Sequence, residues 1–289
     1  MKLAAIDIGS NAIRLQITRI IPHEDGSLSY KRLETIRFPL RLGDDAFRMG
    51  EITFRNEIKF IELMMAFRTL IDLYEVDDAY GCATAALRDS INGDRILKRA
   101  YDKSGLHIDV VTGDGEADLL FRAVSKFIGF GYYVHVDVGG GSTEISLIKD
   151  KECFARQSFK LGSVRNMRRR NDAKEWDRMR DWLEANKPDV PMIAIGTGGN
   201  IRSIHKVAEP KRLKPIGYKK LLETVKRINK YTIAERIDLL SMREDRADVV
   251  PYASEMYLKV MEWSKATEMI VPDTGLKDGI IEMLYERIK

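Results

Sequence analysis

The feature that most constrains the fold of this chain is a short motif that occurs twice. In each copy an apolar run ends in an aspartate. An apolar residue, a glycine and a hydroxyl side chain follow, before a second run in which apolar and polar residues alternate. The copies cover residues 7–13 and 137–145, so that Asp7 and Asp137 stand 130 residues apart. Two copies of one strand–turn–strand motif predict a duplicated domain.

The residue types of the motif indicate phosphate chemistry. Glycines let the backbone approach an anion closely and direct several N–H groups at it. An aspartate at the end of a strand presents its carboxylate to a divalent cation. Ser10, Ser142 and Thr143 add hydroxyl donors. We therefore expect two such loops, facing each other, to bind consecutive phosphates.

A third glycine-rich loop, residues 196–200, lies between a predicted strand and a predicted helix. The N–H groups of the loop and of the helix N-terminus favour an anion, which makes Gly198 and Gly199 candidates for phosphate binding. Glycines at this place also serve ordinary strand–helix turns, and for this loop taken alone both interpretations stay open.

The order of the predicted elements indicates an α/β fold. Alternating or wholly apolar runs predict strands, and apolar residues every three or four positions predict helices. The order is βββαβα, and it occurs twice, with additional helices in the second copy. Such an order predicts helices packed on a sheet. The glycines at 129 and 131 place the boundary of the two copies between Ser125 and Gly131.

Composition excludes several other classes of protein. The chain has 289 residues and a net charge of only +4, whereas DNA- and RNA-binding domains are usually more basic, so neither nucleic acid is expected as a partner. A modest positive charge suits a small acidic substrate. The N-terminus does not resemble a signal peptide, and no apolar run reaches the roughly 18 residues of a membrane span. We expect a cytoplasmic protein that does not bind a membrane.

Several further motifs, spread over nearly the whole chain, make a resemblance specific. They are residues 7–15, 83–92, 137–144, 161–165, 196–199, 246–248 and 275–279. Together they resemble the exopolyphosphatase / guanosine pentaphosphate phosphohydrolase (Ppx/GppA) family, in its short two-domain form.

The resemblance implies a fold and an activity. The fold is α/β, with two duplicated actin-like domains (the ASKHA, RNase H-like fold) around a central cleft. Domain I would comprise residues 1–126 plus 277–289, and domain II residues 127–276. The family cleaves the terminal phosphate from inorganic polyphosphate or guanosine pentaphosphate with a divalent cation, usually Mg²⁺. The resemblance thus predicts a hydrolase acting on phosphoanhydrides.

The resemblance also implies a catalytic base. The family's base is the glutamate before alanine in a stretch that here covers residues 113–117, so that Glu116 matches it. Gly115 and Asp118 depart from the family pattern, and their effect on the rate stays open. An acid at the start of a helix also complements the helix dipole, which is the alternative interpretation of Glu116.

The metal and phosphate ligands combine the motif chemistry with the resemblance. Asp137 and Glu144 are the predicted Mg²⁺ ligands. Arginine can bind phosphate through two N–H groups at once, which adds Arg14 and Arg88 to the candidates. The predicted phosphate-binding residues are Gly9, Ser10, Asn11, Arg14, Arg88, Gly139, Gly140, Gly141, Ser142, Thr143, Gly198 and Gly199.

Two rival functions remain open at this stage. A sugar or acetate kinase of the same fold would share the phosphate loops, although the motif at 83–92 and Glu116 argue against it. A sensor that binds polyphosphate or guanosine tetra- or pentaphosphate without hydrolysing it is the second rival, and Gly115 is one reason to consider it. The motifs do not separate polyphosphate from guanosine pentaphosphate, and a homodimer is left open.

Overall fold

The structure, a computed structural model, describes residues 1–168, 172–209 and 213–289. The chain forms two compact units of mixed α/β structure. Unit 1 comprises Met1–Thr112 and Leu276–Lys289, and unit 2 comprises Gly113–Gly275.

Unit 1 contains a five-stranded sheet in the order β3-β2-β1-β4-β5. Its strands are β1 (Lys2–Ile8), β2 (Ile13–Pro22), β3 (Leu28–Phe38), β4 (Asp78–Ala83) and β5 (Ile108–Val110). β1, β2 and β3 pair antiparallel, whereas β4 and β5 continue the sheet in parallel from β1. β1 is almost wholly apolar because it lies at the centre of this sheet, where its side chains from Leu3 to Ile8 are buried.

Five helices accompany the sheet of unit 1, four before the chain leaves the unit and one after it returns. They are α1 (Leu42–Met49), α2 (Phe54–Leu73), α3 (Ala85–Arg88), α4 (Gly93–Ser104) and α13 (Leu276–Ile288) in unit 1, with α5 (Gly113–Val124) beginning unit 2. Thr53 caps α2 by accepting a hydrogen bond from the Asn56 N–H, and Gly105 ends α4 in the left-handed conformation expected of a C-terminal glycine. α13 packs against β1.

Unit 2 contains a six-stranded sheet in the order β8-β7-β6-β9-β11-β10. Its strands are β6 (Tyr132–Val138), β7 (Thr143–Lys149), β8 (Glu152–Phe159), β9 (Met192–Thr197), β10 (Ile216–Gly217) and β11 (Ala266–Ile270). β6, β7 and β8 pair antiparallel, and β9 and β11 continue in parallel from β6. The first five strands therefore repeat the order and directions of unit 1, which confirms the predicted duplication.

The helices of unit 2 are α5, α6 (Ser163–Arg168), α7 (Ala173–Asn186), α8 (Gly199–Ala208), α9 (Tyr218–Lys230), α10 (Ile233–Asp238), α11 (Glu244–Ala247) and α12 (Val250–Trp263). α5 contributes Val124 to a small apolar cluster, whereas the helices from α7 to α12 contribute to one large apolar core. Val136, Leu147, Leu183 and Tyr257 are among its fully buried members. Within the described ranges, no helix combines the length and the apolar character needed to cross a membrane.

Two features differ from the sequence expectation. α5 packs with unit 2, whereas the predicted boundary between residues 126 and 127 places α5 in the first domain. The compact units are defined by contacts and the predicted domains by the repeated motif, so the domain boundary stays a prediction. The helix α1 was not predicted. It has only eight residues, and its start depends on Arg41, which adopts a left-handed conformation (φ 54°).

Candidate active site

The two repeated loops have the same backbone turn. The N–H of Gly9 donates to the carbonyl of Ala12 at 3.2 Å, and the N–H of Gly139 donates to the carbonyl of Ser142 at 3.0 Å. Each loop joins two antiparallel strands, so that each aspartate stands directly opposite a residue of the next strand. The two aspartates therefore occupy equivalent positions in the two units, but the residues opposite them differ.

In unit 1 the neighbour of Asp7 is Arg14, and the two side chains form an ion pair of 2.5 Å. The hydroxyl of Ser10 is buried and has no hydrogen-bond partner among the described residues. Asn11 accepts a hydrogen bond of 3.1 Å from the Nε of Arg41. This loop thus presents a buried hydroxyl beside two arginines, as a phosphate site requires.

In unit 2 the carbonyl groups of the loop are turned toward helix α6. The carbonyl of Gly139 accepts from the Ser163 N–H at 3.0 Å, and that of Gly140 from two N–H groups of the same helix at 2.9 Å. The N–H groups of Gly140 and Gly141 make no hydrogen bond with any residue that the structure describes. Consecutive N–H groups in this state can form an anion-binding nest, and we call this pair the anion nest.

The two predicted metal ligands are neighbours. Asp137 on β6 pairs with Glu144 on β7, and directly opposed residues of antiparallel strands have their Cβ atoms about 5 Å apart. Each carboxylate accepts a hydrogen bond from a hydroxyl, Asp137 from Thr197 and Glu144 from Ser158 at 2.9 Å. The structure thus brings the two carboxylates together.

This donor set fits Mg²⁺. Mg²⁺ is bound by one or two carboxylates and keeps several water or phosphate ligands, whereas structural zinc sites take four protein ligands. In the described part of the chain, no group of three or more His, Cys, Asp or Glu side chains could hold a metal ion. A pair of carboxylates beside an anion nest is the arrangement that a magnesium–phosphate complex needs.

Two buried side chains, those of His135 and Tyr257, contact Thr197, which in turn donates to Asp137. His135 donates or accepts at 2.9 Å with the Thr197 hydroxyl, and burial lowers the pKa of His135 to about 3, so that it is neutral at physiological pH. Tyr257 donates to the carbonyl of Thr197 at 2.5 Å. Burial raises the pKa of Tyr257, and the nearby charge of Asp137 raises it further.

The third glycine loop lies beside the second. Gly198 has a φ of +98°, a conformation that favours glycine, and a Cβ at this position would lie 3.4 Å from a carboxylate oxygen of Asp137 and 3.1 Å from the hydroxyl of Tyr257. The guanidinium of the buried Arg246 packs against Gly199 and donates to the side-chain carbonyl of Asn200 at 3.4 Å. The structure therefore brings Gly198 and Gly199 together with the predicted metal ligands.

Glu116 lies one turn into α5 and is buried. α5 packs against β7 and β8, the strands that carry Glu144 and Ser158. Gly113, the first residue of the helix, lies so close to Ser158 that a Cβ would come within 2.3 Å of the serine Cβ. The glycine that opens the motif at 113–117 is explained by this approach.

Asp118, where the chain departs from the family pattern, has two arginine partners. Arg156 on β8 donates to it at 2.9 Å and Arg122 at 3.1 Å. Burial alone would raise the pKa of Asp118, but the hydrogen bonds from Arg156 and Arg122 hold it below its usual value. Asp118 thus fixes α5 to the sheet.

Comparison with known proteins agrees with this geometry. The model of the Ppx/GppA phosphatase family matches residues 20–287. The chain belongs to this family. Exopolyphosphatase 1 of Mycobacterium tuberculosis is 27% identical over 97% of this chain and 87% of its own length. The guanosine-5'-triphosphate,3'-diphosphate pyrophosphatase of Photobacterium profundum is 22% identical over 99% of this chain and 60% of its own.

Solved structures of Ppx/GppA proteins have the same fold. An exopolyphosphatase from Cytophaga hutchinsonii superimposes with a TM-score of 0.88 at 22% identity, covering 100% of this chain and 99% of the other. The Aquifex aeolicus member of the family superimposes with a TM-score of 0.79 at 26% identity, covering 99% and 98%. The predicted family, the predicted fold and the prediction of a phosphohydrolase are confirmed, and the rival functions are not favoured.

Two of the predicted phosphate ligands have side chains that are engaged within the protein. The hydroxyl of Thr143 is buried and donates to the carbonyl of Leu161 at 2.7 Å, so it has no proton left for a phosphate. Arg88 donates to the carbonyl of Val111 at 2.8 Å. We drop the Thr143 hydroxyl from the proposed site. The guanidinium of Arg88 also lies 3.7 Å from the carboxylate of Asp89, and its role as a phosphate ligand stays a prediction.

Several residues of the site were not predicted from the sequence. They are Arg41, His135, Ser158, Arg165 (whose Nε donates to the carbonyl of Gly141 at 2.6 Å), Thr197, Arg246 and Tyr257. Arg165, Thr197 and Arg246 lie inside the motifs described above, which is a signal that could have identified them. The others stand outside these motifs, and only the strand register or the packing brings them to the site.

Proposed function

We propose that this chain releases the terminal phosphate of inorganic polyphosphate, or of guanosine pentaphosphate, by attack of a water molecule whose proton Glu116 accepts. The observation that carries the proposal is the place of Glu116. It is buried on a helix that packs against the strands bearing Glu144 and Ser158, within the same unit as the anion nest.

In the proposed mechanism, the chain's own groups position the reactants. Glu116 orients the attacking water and accepts its proton. The N–H groups of Gly140 and Gly141, with the hydroxyl of Ser142, donate to the oxygens of the transferred phosphoryl group. Such donors are effective because phosphoryl transfer depends on positioning and on stabilising negative charge.

Asp137 and Glu144 are the proposed ligands of a divalent cation, Mg²⁺ or another. The bound cation would supply positive charge that neutralises the phosphoryl oxygens. Thr197 and Ser158 hold the two carboxylates, and Gly198 leaves room beside Asp137.

The remaining phosphate-binding residues are proposed for the rest of the substrate. In unit 1, Ser10 offers a buried hydroxyl, and Arg14 offers a guanidinium that Asp7 orients. Further proposed ligands are the backbone groups of Gly9, Asn11, Gly139 and Gly199, with the guanidinium of Arg88. The N-terminus of α8 at Gly199 adds a favourable helix dipole.

Between the two substrates, we propose polyphosphate first. The exopolyphosphatase relative is 27% identical to this chain, whereas the pentaphosphate pyrophosphatase relative is 22% identical. Both substrates end in a phosphoanhydride that the same loops could bind, so the preference needs a direct comparison. The net charge of +4 supports a small polyanion rather than DNA or RNA. A cytoplasmic location and a homodimer stay predictions.

The test is phosphate release, with Mg²⁺, from short polyphosphate, long polyphosphate, guanosine pentaphosphate and ATP. We expect release from polyphosphate without any acceptor, and a loss of about 10²- to 10⁴-fold in kcat for Glu116→Gln with substrate binding retained. Turnover near the wild-type rate in this variant would reject Glu116 as the base.

A matched control separates the base from the helix dipole. Asp114 is exposed in the same first turn of α5, so Asp114→Asn removes a negative charge from the same helix end. We expect this variant to keep its kcat. Binding of guanosine pentaphosphate by calorimetry, with no hydrolysis of any substrate, would favour the sensor instead.

A further inference from the structure

Four residues form one row across four neighbouring strands of unit 2, which we call the carboxylate row. In strand order it is Thr197, Asp137, Glu144 and Ser158. The register places Thr197 opposite Asp137, Asp137 opposite Glu144, and Glu144 opposite Ser158. Directly opposed residues point to the same face of a sheet. The two carboxylates are therefore flanked by one hydroxyl on each side.

Each hydroxyl donates its proton to the carboxylate beside it. The Oγ1 of Thr197 donates to an Oδ atom of Asp137, and the Oγ of Ser158 donates to the Oε1 of Glu144 at 2.9 Å. An ionised carboxylate only accepts hydrogen bonds, so the direction of both bonds is fixed. Such a hydrogen bond restricts the rotation of the carboxylate and therefore fixes the direction in which its other lone pairs point.

A second bond extends the row behind Thr197. The Nε2 of His135 lies 2.9 Å from the Thr197 hydroxyl. Because the single proton of that hydroxyl is used on Asp137, His135 must supply the proton of this bond, which fixes its tautomer with hydrogen on Nε2. The chain of donors therefore runs from His135 through Thr197 to Asp137.

Ser158 has an equivalent connection on the other side. It lies directly beneath Gly113, the first residue of the helix that carries Glu116. One serine therefore contacts the carboxylate of Glu144 and the start of the base helix. A displacement of Ser158 would change the direction of both.

We propose that Thr197 and Ser158 are positioning residues that hold Asp137 and Glu144 in the orientation needed to bind a divalent cation. The inference rests on the proposed metal-dependent function. Partners of metal ligands in the second layer fix ligand orientation, and their loss typically weakens metal affinity by about 10- to 100-fold.

The test measures Mn²⁺ binding to the full chain without substrate, by the electron paramagnetic resonance signal of free Mn²⁺. Thr197→Val keeps the shape of threonine and removes the hydroxyl, whereas Thr197→Ser keeps the hydroxyl. We expect Thr197→Val and Ser158→Ala each to weaken Mn²⁺ binding by about 10- to 100-fold. Thr197→Ser, which retains the hydroxyl, should bind Mn²⁺ with an affinity within about threefold of the wild type.

Ser146 provides the matched control. It lies on the same strand as Glu144, it is buried as Thr197 is, and its hydroxyl has no hydrogen-bond partner among the described residues. Ser146→Ala thus removes one buried hydroxyl without affecting either carboxylate, and we expect its Mn²⁺ affinity to stay at the wild-type value. Thermal unfolding of each variant, followed by circular dichroism, shows that binding is compared between folded proteins.

The outcomes separate this inference from the proposed function. Equal Mn²⁺ affinity in the wild type, Thr197→Val and Ser158→Ala overturns the inference and leaves the hydrolase proposal standing. A wild type that releases phosphate from none of the substrates, but whose Mn²⁺ affinity still falls in Thr197→Val and recovers in Thr197→Ser, overturns the proposed function and leaves the inference standing. If Thr197→Val does not fold, Ser158→Ala decides.

Discussion

The two units carry the same row of strand positions with opposite chemistry. In unit 1 the positions equivalent to the carboxylate row form what we call the arginine row. It consists of Cys82, Asp7, Arg14 and Arg37, which lie opposite one another on β4, β1, β2 and β3. The arginine row thus holds two guanidinium groups and one carboxylate, whereas the carboxylate row holds two carboxylates and two hydroxyl groups.

This difference suits the two loops, which have the same backbone turn, to different ligands. In unit 1, the ion pair of 2.5 Å with Arg14 neutralises Asp7, and Arg37 adds a second cation, so the row suits phosphate. In unit 2, no arginine lies in the row, and both carboxylates receive hydroxyl donors, so the row suits a cation. A duplicated fold can thus divide phosphate binding and metal binding by changing the residue seven positions after each aspartate.

Both loops are also supported in the same way. The carbonyl of Ser10 accepts from the N–H of Gly43 at 2.8 Å, and the carbonyl of Gly139 accepts from the N–H of Ser163 at 3.0 Å. In each case the start of a short helix binds loop carbonyls. What the two loops share is therefore their backbone, and what separates them is the side chain opposite the aspartate.

The largest expected effect is a loss of Mn²⁺ affinity that occurs on substitution of Asp137 but not of Asp7. We expect Asp137→Asn to weaken Mn²⁺ binding by more than about 100-fold, because it changes a proposed ligand itself rather than a supporting partner. Asp7→Asn should leave Mn²⁺ affinity unchanged, because Asp7 is paired with Arg14. Titration of Mn²⁺ into both variants checks this. A comparable loss in Asp7→Asn would contradict the assignment of the metal to the carboxylate row.

The second prediction compares the support of the two loops. A Cβ on Gly162 would lie 2.4 Å from the backbone of Gly141. A Cβ on Gly43 would lie 2.8 Å from a ring carbon of Phe47 and 2.9 Å from the Cβ of Ser10, and no closer than 3.0 Å to backbone, at the Ser10 carbonyl. Backbone yields less easily than a side chain. We expect Gly162→Ala to lower the free energy of unfolding by about 3 kcal/mol and Gly43→Ala by about 1 kcal/mol.

Urea unfolding of both glycine variants gives the comparison directly. A larger loss in Gly43→Ala than in Gly162→Ala would mean that α1 holds its loop more rigidly than α6 does. Gly26→Ala can serve as a reference for strain without contact, because Gly26 has a φ of +79° and no atom near the place of its Cβ.

The last prediction concerns the ion pair of the arginine row, whose expected effect is smaller than that of Gly162→Ala. Arg14→Gln removes the cation from the nearly buried Asp7, and an uncompensated carboxylate of this kind should lower the free energy of unfolding by about 2 kcal/mol. Arg19→Gln on the same strand is the control, because Arg19 is exposed and should give a change below about 0.5 kcal/mol. Equal effects on the urea midpoint would mean that the Asp7 pair adds no stability.

Much of the fold was accessible from local patterns. The apolar run of β1 and the alternating run of β2 predicted strands, and the stripe of Phe60, Met64 and Phe67 predicted α2. Such patterns work because burial imposes a period of two or of 3.6 residues on the sequence. The start of α1 was missed because it depends on one left-handed residue, Arg41, and on a contact with a loop far away in the sequence.

The sequence by itself determined the duplicated motif, the α/β class, the family and the candidate base, because each is written in residues close together in the chain. Only the tertiary structure decided which aspartate pairs with an arginine and which stands beside a second carboxylate held by Thr197 and Ser158. These partners come from strands up to 60 residues away, as between Asp137 and Thr197. Strand register sets them, and register depends on the whole sheet rather than on any local run of residues.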